Sequence, residues 1–417
     1  MSGNAEQIET VIIGGGHAGL TMSYSLSQLG REHVILERGR VGERWRSERW
    51  DSFHFQFPNW TIELPGYKYQ CDDSDAFAPG REIVRFLDGY AGFIKAPVRS
   101  GVAVTSLEQG SREERYLIRT QNGTIEAGTI VIATGPFQMP AIPAISATVP
   151  PDFFQLHSNK YRNADELPPG AILVVGAGSS GCQITEDLTQ NGRRVYLSVG
   201  RHRRVPRRYR GRDFSWWGST MGLWEHTVDM LPSPQAKYDP LPLLTPAKGG
   251  HDVDLRRMAN DGVTLLGRLQ AINGSVVTIA NDLQKNLAEG DRRLTEYKKN
   301  VENFIGKNGL SVPAETFTDQ ELADPEEVVH PLLELDLNTA GISSIIWATG
   351  FRYDFEWVKL PLFDDKGEPV HQRGVTTLPG LYFLGIKWLY KRKSHFMLKA
   401  GPAEDAAYIA EVINTRR

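Results

Sequence analysis

The stretch Glu9 to Arg38 constrains this chain more than any other. It opens on the apolar β-formers Val11-Ile12-Ile13 and passes through Gly14-Gly15-Gly16-His17-Ala18-Gly19. A helical pattern follows (Leu20, Tyr24, Leu26, Leu29), then a second apolar run, Val34-Ile35-Leu36, ending in Glu37 and Arg38. The order is strand, glycine turn, helix, strand, acid. Gly14 permits the tight turn out of the strand, Gly16 lets backbone approach a pyrophosphate, and Gly19 lets helix and strand pack closely. The helix N-terminus, opened by His17 and Ala18, faces the anion, and Glu37 accepts hydrogen bonds from a ribose. A bare GxGxxG is a weak signal, but the flanking strand, the helix and an acid 18 residues after Gly19 supply the context the motif requires.

The same pattern returns at Ala171 to Val199. Ala171-Ile172-Leu173-Val174-Val175 runs into Gly176-Ala177-Gly178-Ser179-Ser180-Gly181, a helical stretch to Thr189, and the strand Val195-Tyr196-Leu197-Ser198-Val199. Two such units in one chain predict an α/β protein with two Rossmann-like dinucleotide-binding domains. The second unit lacks the acid. It continues Gly200-Arg201-His202-Arg203-Arg204, with Arg207, Arg208 and Arg210 beyond, which is six arginines in ten residues. A basic residue here accommodates a 2′-phosphate, so Arg201, helped by Arg203 or Arg204, is expected to select NADP over NAD. The competing reading of the same residues is a solvated basic loop.

A chain of 417 residues accommodates two or three domains. Its net charge of −3 and pI near 6.4 give no support to nucleic acid as a partner, and no apolar run is long enough for a membrane span. The polar start MSGNAEQIE lacks the layout of a signal peptide, so a cytoplasmic location is expected. The two cysteines, Cys71 and Cys182, form no CxxC, which removes the usual redox dithiol, and no Cys/His cluster has metal spacing.

Between and after the glycine turns the chain alternates regular and irregular stretches. Arg44 and Trp45 precede an aromatic-rich stretch, Trp50 to Tyr69, read as a loop layer over a flat ligand or as a hydrophobic cluster under a long loop. Glu82 to Phe93 reads as a helix, Val102-Ala103-Val104 as an edge segment, and Tyr116 to Glu126 as a hairpin through Asn122-Gly123. Ile130 to Gly135 and Ile345 to Gly350 are buried strands ending in the matched small residues Ala133-Thr134-Gly135 and Ala348-Thr349-Gly350, where backbone comes close to a ligand. Phe214 to Asn260 holds Trp216, Trp217 and Trp224 with little periodicity and reads as an insertion capping a substrate. A long amphipathic helix (281–305), a last strand ending at Gly385, and a closing helix complete the chain.

In this order, Gly14-to-Gly19, Gly42-x-x-Trp45, Ala133-Thr134-Gly135, His157-Ser158-x-x-Tyr161, Gly176-to-Gly181, Ala348-Thr349-Gly350-Phe351 and Gly380-Leu381-Tyr382-Phe383-x-Gly385 resemble class B flavin-dependent monooxygenases. The chain looks most like the bacterial single-component flavoproteins related to plant indole-pyruvate monooxygenases. The likeness spans nearly the whole chain. It implies an FAD domain at 1–165 and 345–417, with an NADPH domain at 166–344 inserted in it and carrying its own insertion at about 206–262. It further implies molecular oxygen and a small organic substrate as partners, oxygen transfer through the flavin C4a position, Val104 on the FAD site, and Asn59 and His157 as catalytic candidates. Of the family's motif Phe-x-Gly-x-x-x-His-x-x-x-(Tyr/Phe), only the His157-to-Tyr161 half is present: Pro151 and Phe153 stand at the leading positions. A structural role for His157 and a turn-capping role for Asn59 stay open. So do an NADPH-dependent reductase or oxidase without oxygen insertion, and a non-catalytic dinucleotide sensor. A homodimer is compatible with the sequence and is not read from it.

Overall fold

The computed structural model describes residues 5–416 apart from 111, 113, 317–321, 397, 398 and 400. The first sheet grows around the strand Glu6–Ile13, whose end Val11-Ile12-Ile13 is buried on both faces, as a parallel sheet requires. On one side it pairs in parallel with Val34–Glu37, and that strand pairs with Val98–Ser100. On the other side it pairs in parallel with the ten-residue strand Gly123–Ile132. The first half of that strand carries the antiparallel neighbours Tyr116–Thr120 and Val104–Gln109, and its second half takes Leu381–Phe383 in parallel. The helix His17–Gln28 packs on this sheet against the closing helix Ala403–Thr415.

The second sheet is parallel throughout, in the order Phe154–His157, Ile342–Trp347, Ala171–Val175, Val195–Ser198, Thr264–Leu266. Its helix Ser179–Gln190 covers one face. A three-stranded antiparallel sheet, Leu269–Asn273, Val276–Ile279 and Glu334–Asp336, shares the core of the other.

Phe154–His157 pairs in parallel with Ile342–Trp347, so both strands lie in the second sheet. The four-residue edge strand follows a proline-rich linker and shows no period of its own, which hid it. The insertion carries a short hairpin, Arg208–Tyr209 with Arg212–Asp213, and the helix Phe214–Thr220. Its Phe214, Trp217, Trp224 and Leu244 share the hydrophobic core of the first sheet, as do Tyr297 and Val301 of the long helix Leu283–Asn308. The insertion therefore joins the two sheets. Among the described residues no helix is long and apolar enough to cross a membrane, and no group of three or more His, Cys, Asp or Glu could hold a metal ion.

Candidate cofactor and active site

One cavity of about 660 Å³ runs between the sheets and is lined by residues of both glycine turns. The turns share their geometry. Gly14 (φ 115°) and Gly176 (φ 107°) sit in backbone conformations that favour glycine. A Cβ on Gly19 would lie 1.9 Å from the Gly14 carbonyl oxygen, and one on Gly181 would lie 1.8 Å from that of Gly176. A Cβ on Gly16 or Gly178 would meet no protein atom within 4 Å, so each middle glycine faces open space in the cavity. That is the cradle a phosphate group would fill. Gly135 (φ 73°) and Gly350 (φ 85°), at the ends of the two matched strands, also line the cavity with nothing near their Cβ positions.

The structure brings together most of the residues singled out in the sequence. Gly14, Gly16, His17, Ala18, Glu37, Arg38, Arg44, Trp45, Val104, Ala133, Thr134 and Gly135 line the part of the cavity on the first sheet. Gly178, Ser179, Ser180, Arg201, Ala348 and Gly350 line the second, and Gly385 closes over Ala18. The Glu37 carboxylate accepts from Gly15 N–H at 2.6 Å and Gly39 N–H at 2.8 Å, which fixes its direction and leaves lone pairs for a hydroxyl. The second unit keeps the register at this point and changes the residue. Gly14 N–H bonds Leu36 O and Gly176 N–H bonds Ser198 O, so Val199 stands where Glu37 stands in the first. Val199 is buried and apolar, and Arg201, two residues on, reaches the cavity without a side-chain partner among the described residues.

Several expected residues do other work. Arg204 is held by Asp291 (2.6 Å) and Asp254 and does not line the cavity. Arg203 is also off the cavity wall, so of the three arginines first singled out only Arg201 lines the cavity. Arg207, Arg208 and Arg210 bond Asp213, the carbonyls of Gly249 and Gly250, and Glu302 respectively, while Arg201 and Arg208 stay exposed. Asn59 is buried in a turn outside the cavity; its Nδ2 donates to Asp73 O at 2.9 Å and so ties the aromatic loop to itself. His157 is likewise a fastener. Its Nε2–H donates to Gly350 O at 2.9 Å while Nδ1 accepts from Asn159 N–H, and burial lowers its pKa. Thr349 bonds Ala141 O, and Gly19, Gly176 and Gly181 serve close packing.

Sequence reasoning missed Gln138. It is buried, donates to Thr134 Oγ1 and Gly135 O (both 2.8 Å) and accepts from Asp354 N–H (2.7 Å), while its carbonyl takes Arg44 Nη2 (2.9 Å). One glutamine thus fixes the turn after the strand and the arginine opposite. Lys387 and His395, beyond Gly385, were also missed, and both line the cavity. Burial lowers the His17 pKa to about 4 and holds that of His395 well below its ordinary value. A basic run after the last strand was the available signal. Trp45, Phe55 and Phe57 form an edge-to-face series along the wall (5.9 and 5.5 Å) and exclude water from that part of the cavity.

Comparison with known proteins agrees with this geometry. A model of the "Pyridine nucleotide-disulphide oxidoreductase" family matches residues 11–216. An "Uncharacterized oxidoreductase CzcO-like" protein of Geobacillus kaustophilus is 30% identical over 414 residues, covering 98% of this chain and 99% of the relative. Indole-3-pyruvate monooxygenase YUCCA1 of Oryza sativa subsp. japonica is 25% identical over 191 residues, 45% of this chain and 47% of that protein. A flavin-containing monooxygenase from Stenotrophomonas maltophilia superposes with a TM-score of 0.65 at 17% identity, covering 98% of both chains, which shows the shared fold. The chain is a flavin-dependent oxidoreductase that belongs with the CzcO-like proteins to the class B flavin monooxygenase family.

Proposed function

We propose that this protein is an NADPH-consuming, FAD-dependent monooxygenase that inserts one atom of molecular oxygen into a small organic substrate. The observation that carries this reading is the cavity shared by two matched glycine turns, lined by the acid Glu37 and by Arg201, which has no side-chain partner among the described residues. The residues fit the two cofactors. The open space at Gly16 and the N-terminus of His17–Gln28 suit the pyrophosphate of FAD, and Glu37 suits its ribose. Gly178 and the helix Ser179–Gln190 suit the second pyrophosphate, and Arg201 suits a 2′-phosphate.

Bound flavin supplies hydride acceptance from NADPH and the activation of oxygen. The chain supplies orientation and dryness. Gln138 holds Gly135 and Arg44 in one position, and His157 does the same for Gly350 on the facing strand. Trp45, Phe55 and Phe57 keep water from the reacting region. Cys182 is buried on the second helix, where its thiol is pushed well above its ordinary pKa, and Cys71 is exposed away from the cavity. Neither offers a thiolate to pass electrons to a disulfide. Two unpaired cysteines suit a reducing compartment, and we assign the protein to the cytoplasm.

The test is single turnover with isotopically labelled dioxygen. NADPH-reduced enzyme is mixed with labelled oxygen and a panel of amines, sulfides, ketones and oxo acids, and products are read by mass. Label in one product class supports the reading. Full conversion of oxygen to hydrogen peroxide with every compound would make the protein an oxidase or reductase.

A further inference from the structure

The insertion sends a strap, residues 239–245, across the second dinucleotide unit. On one side Leu243 N–H bonds Arg203 O at 2.8 Å, just beyond the strand Val195–Ser198. On the other side stands Ser179, the first residue of the helix Ser179–Gln190. Its Oγ donates to Pro242 O (3.2 Å) and accepts from Leu244 N–H (3.3 Å). A dinucleotide on such a unit uses the same two places: the helix N-terminus for its pyrophosphate and the end of the second strand for its adenosine ribose. The strap therefore bridges the groove in which the coenzyme would lie. It does not fill that groove: Pro240, Leu241 and Leu243 line the cavity, and the space at Gly178 stays open.

The strap is fastened along the helix at one-turn intervals. After Ser179 comes Gln183, whose Nε2 donates to Leu244 O at 2.6 Å. Then comes Glu186, whose Oε2 accepts from Thr245 Oγ1 at 2.8 Å. These spacings put the three side chains on one helix face. Past Thr245, Lys248, Gly249 and Gly250 all have positive φ (51°, 77° and 82°) and turn the chain sharply. This turn is held firmly. Arg208 donates to the carbonyls of Gly249 and Gly250, and a Cβ on Gly250 would lie 2.8 Å from the Phe77 ring. Thr245 and His251 pair across the turn, and Glu186 clasps both, taking His251 Nε2 on its Oε1 at 3.0 Å. The other end is open. Tyr238, Asp239 and Leu241 are exposed, and only the short turns Val228–Met230 and Pro234–Tyr238 precede them.

A bridge held at one end and open at the other moves as a gate, with the sharp turn absorbing the change in backbone angle. We propose that residues 239–245 are the gate over the coenzyme, hinged at Lys248, Gly249 and Gly250, and that Glu186 is the positioning residue that holds it shut. The strap must lift from Ser179 and Arg203 before the coenzyme can leave. This rests on the NADPH reading and adds to it the motion that governs coenzyme release. Glu186 does not line the cavity, so it acts through the strap and not on the coenzyme.

The experiment uses oxidised, FAD-loaded enzyme with NADP⁺ and needs no turnover. Release of NADP⁺ is timed by stopped flow after mixing with excess 2′,5′-ADP, read in the flavin absorption band. Hydrogen exchange of residues 239–247 is followed alongside. Glu186→Ala is expected to speed release by about 10-fold or more, the loss of one hydrogen bond to a charged group. It should also raise exchange in the strap, with FAD content and the exchange of Ala171–Val175 unchanged. Thr245→Val, which removes the same bond from the strap side, should do likewise. Glu186→Gln, whose amide oxygen still accepts from Thr245, should stay near the parent. Unchanged release in both Glu186→Ala and Thr245→Val, or faster release accompanied by loss of FAD, would overturn the gate and leave the coenzyme reading standing. A parent enzyme that binds no NADP⁺ would overturn the coenzyme reading and the gate with it.

Discussion

In the first dinucleotide unit the third glycine is forced by a carbonyl oxygen 1.9 Å from where its Cβ would lie, and in the second by one at 1.8 Å. The first glycines are equally matched, with φ of 115° and 107°. The units part only after the second strand, where Glu37 is replaced by Val199 and the polar contact moves on to Arg201. Packing therefore fixes the shared part, because helix and strand must approach closely whatever is bound. The difference between the units is confined to a few positions after the second strand, Glu37 against Val199 and then Arg201.

The sharpest way to break this comparison is to fill each cradle in turn. Gly16→Val adds atoms where no protein atom lies within 4 Å, so the chain should fold and lose flavin affinity by roughly 100-fold, about 3 kcal/mol. Gly178→Val should keep the yellow colour and lose reduction by NADPH to a similar degree. Flavin-to-protein ratio and stopped-flow reduction read the two, and a colourless Gly178→Val would merge the sites.

A smaller effect separates the arginines. Arg201→Ala should raise KM for NADPH by about 10- to 150-fold and leave NADH nearly unchanged. Arg204→Ala should leave coenzyme preference alone and cost about 1–3 kcal/mol in stability, because Asp254 and Asp291 each lose one of their partners. Steady-state kinetics with both coenzymes and denaturant melts decide. The reverse pattern would return the phosphate to Arg204.

Smaller still are the two residues that fasten loops. Asn59→Ala should cost about 1 kcal/mol and leave hydrogen peroxide release per NADPH unchanged, since Asn59 bonds Asp73 O away from the cavity. His157 contributes a pH dependence. Burial holds its folded pKa below the ordinary 6.5, so the unfolded chain takes the proton first. Its stabilising contribution is complete above about pH 6.5 and is lost as pH falls through the folded value, with a slope of at most about 1.4 kcal/mol per pH unit. His157→Gln should flatten that part of the stability profile and leave kcat at pH 8 intact. A variant that instead abolishes turnover while keeping the fold would restore a catalytic role.

The glycine turns, Glu37 and Arg201 were legible because each obeys a rule written in adjacent residues: spacing, strand before, helix after. The basic run from Arg201 to Arg210 was legible as charge and not as direction. Whether an arginine meets a coenzyme or an aspartate depends on Asp254, Asp291 and Glu302, which lie 50 to 92 positions away. The contact of Asn59 was hidden for the same reason, since its partner Asp73 sits in a loop without a period. Gln138 carries no motif at all, and its importance lies in four contacts reaching residues from 44 to 354.

The first sheet takes its last strand from Leu381–Phe383, next to Gly123–Ile132, and its helix His17–Gln28 leans on Ala403–Thr415. Every strand of the second sheet lies between residues 154 and 347. During synthesis the inner domain can therefore finish while the outer one still waits on the ribosome for its final pieces, although its chain emerged first. Completion of the first sheet is thereby deferred until Leu381–Phe383 and Ala403–Thr415 are in place. A nascent chain stalled before residue 381 would hold a completed coenzyme fold beside an open-edged sheet, exposed to chaperones and proteases.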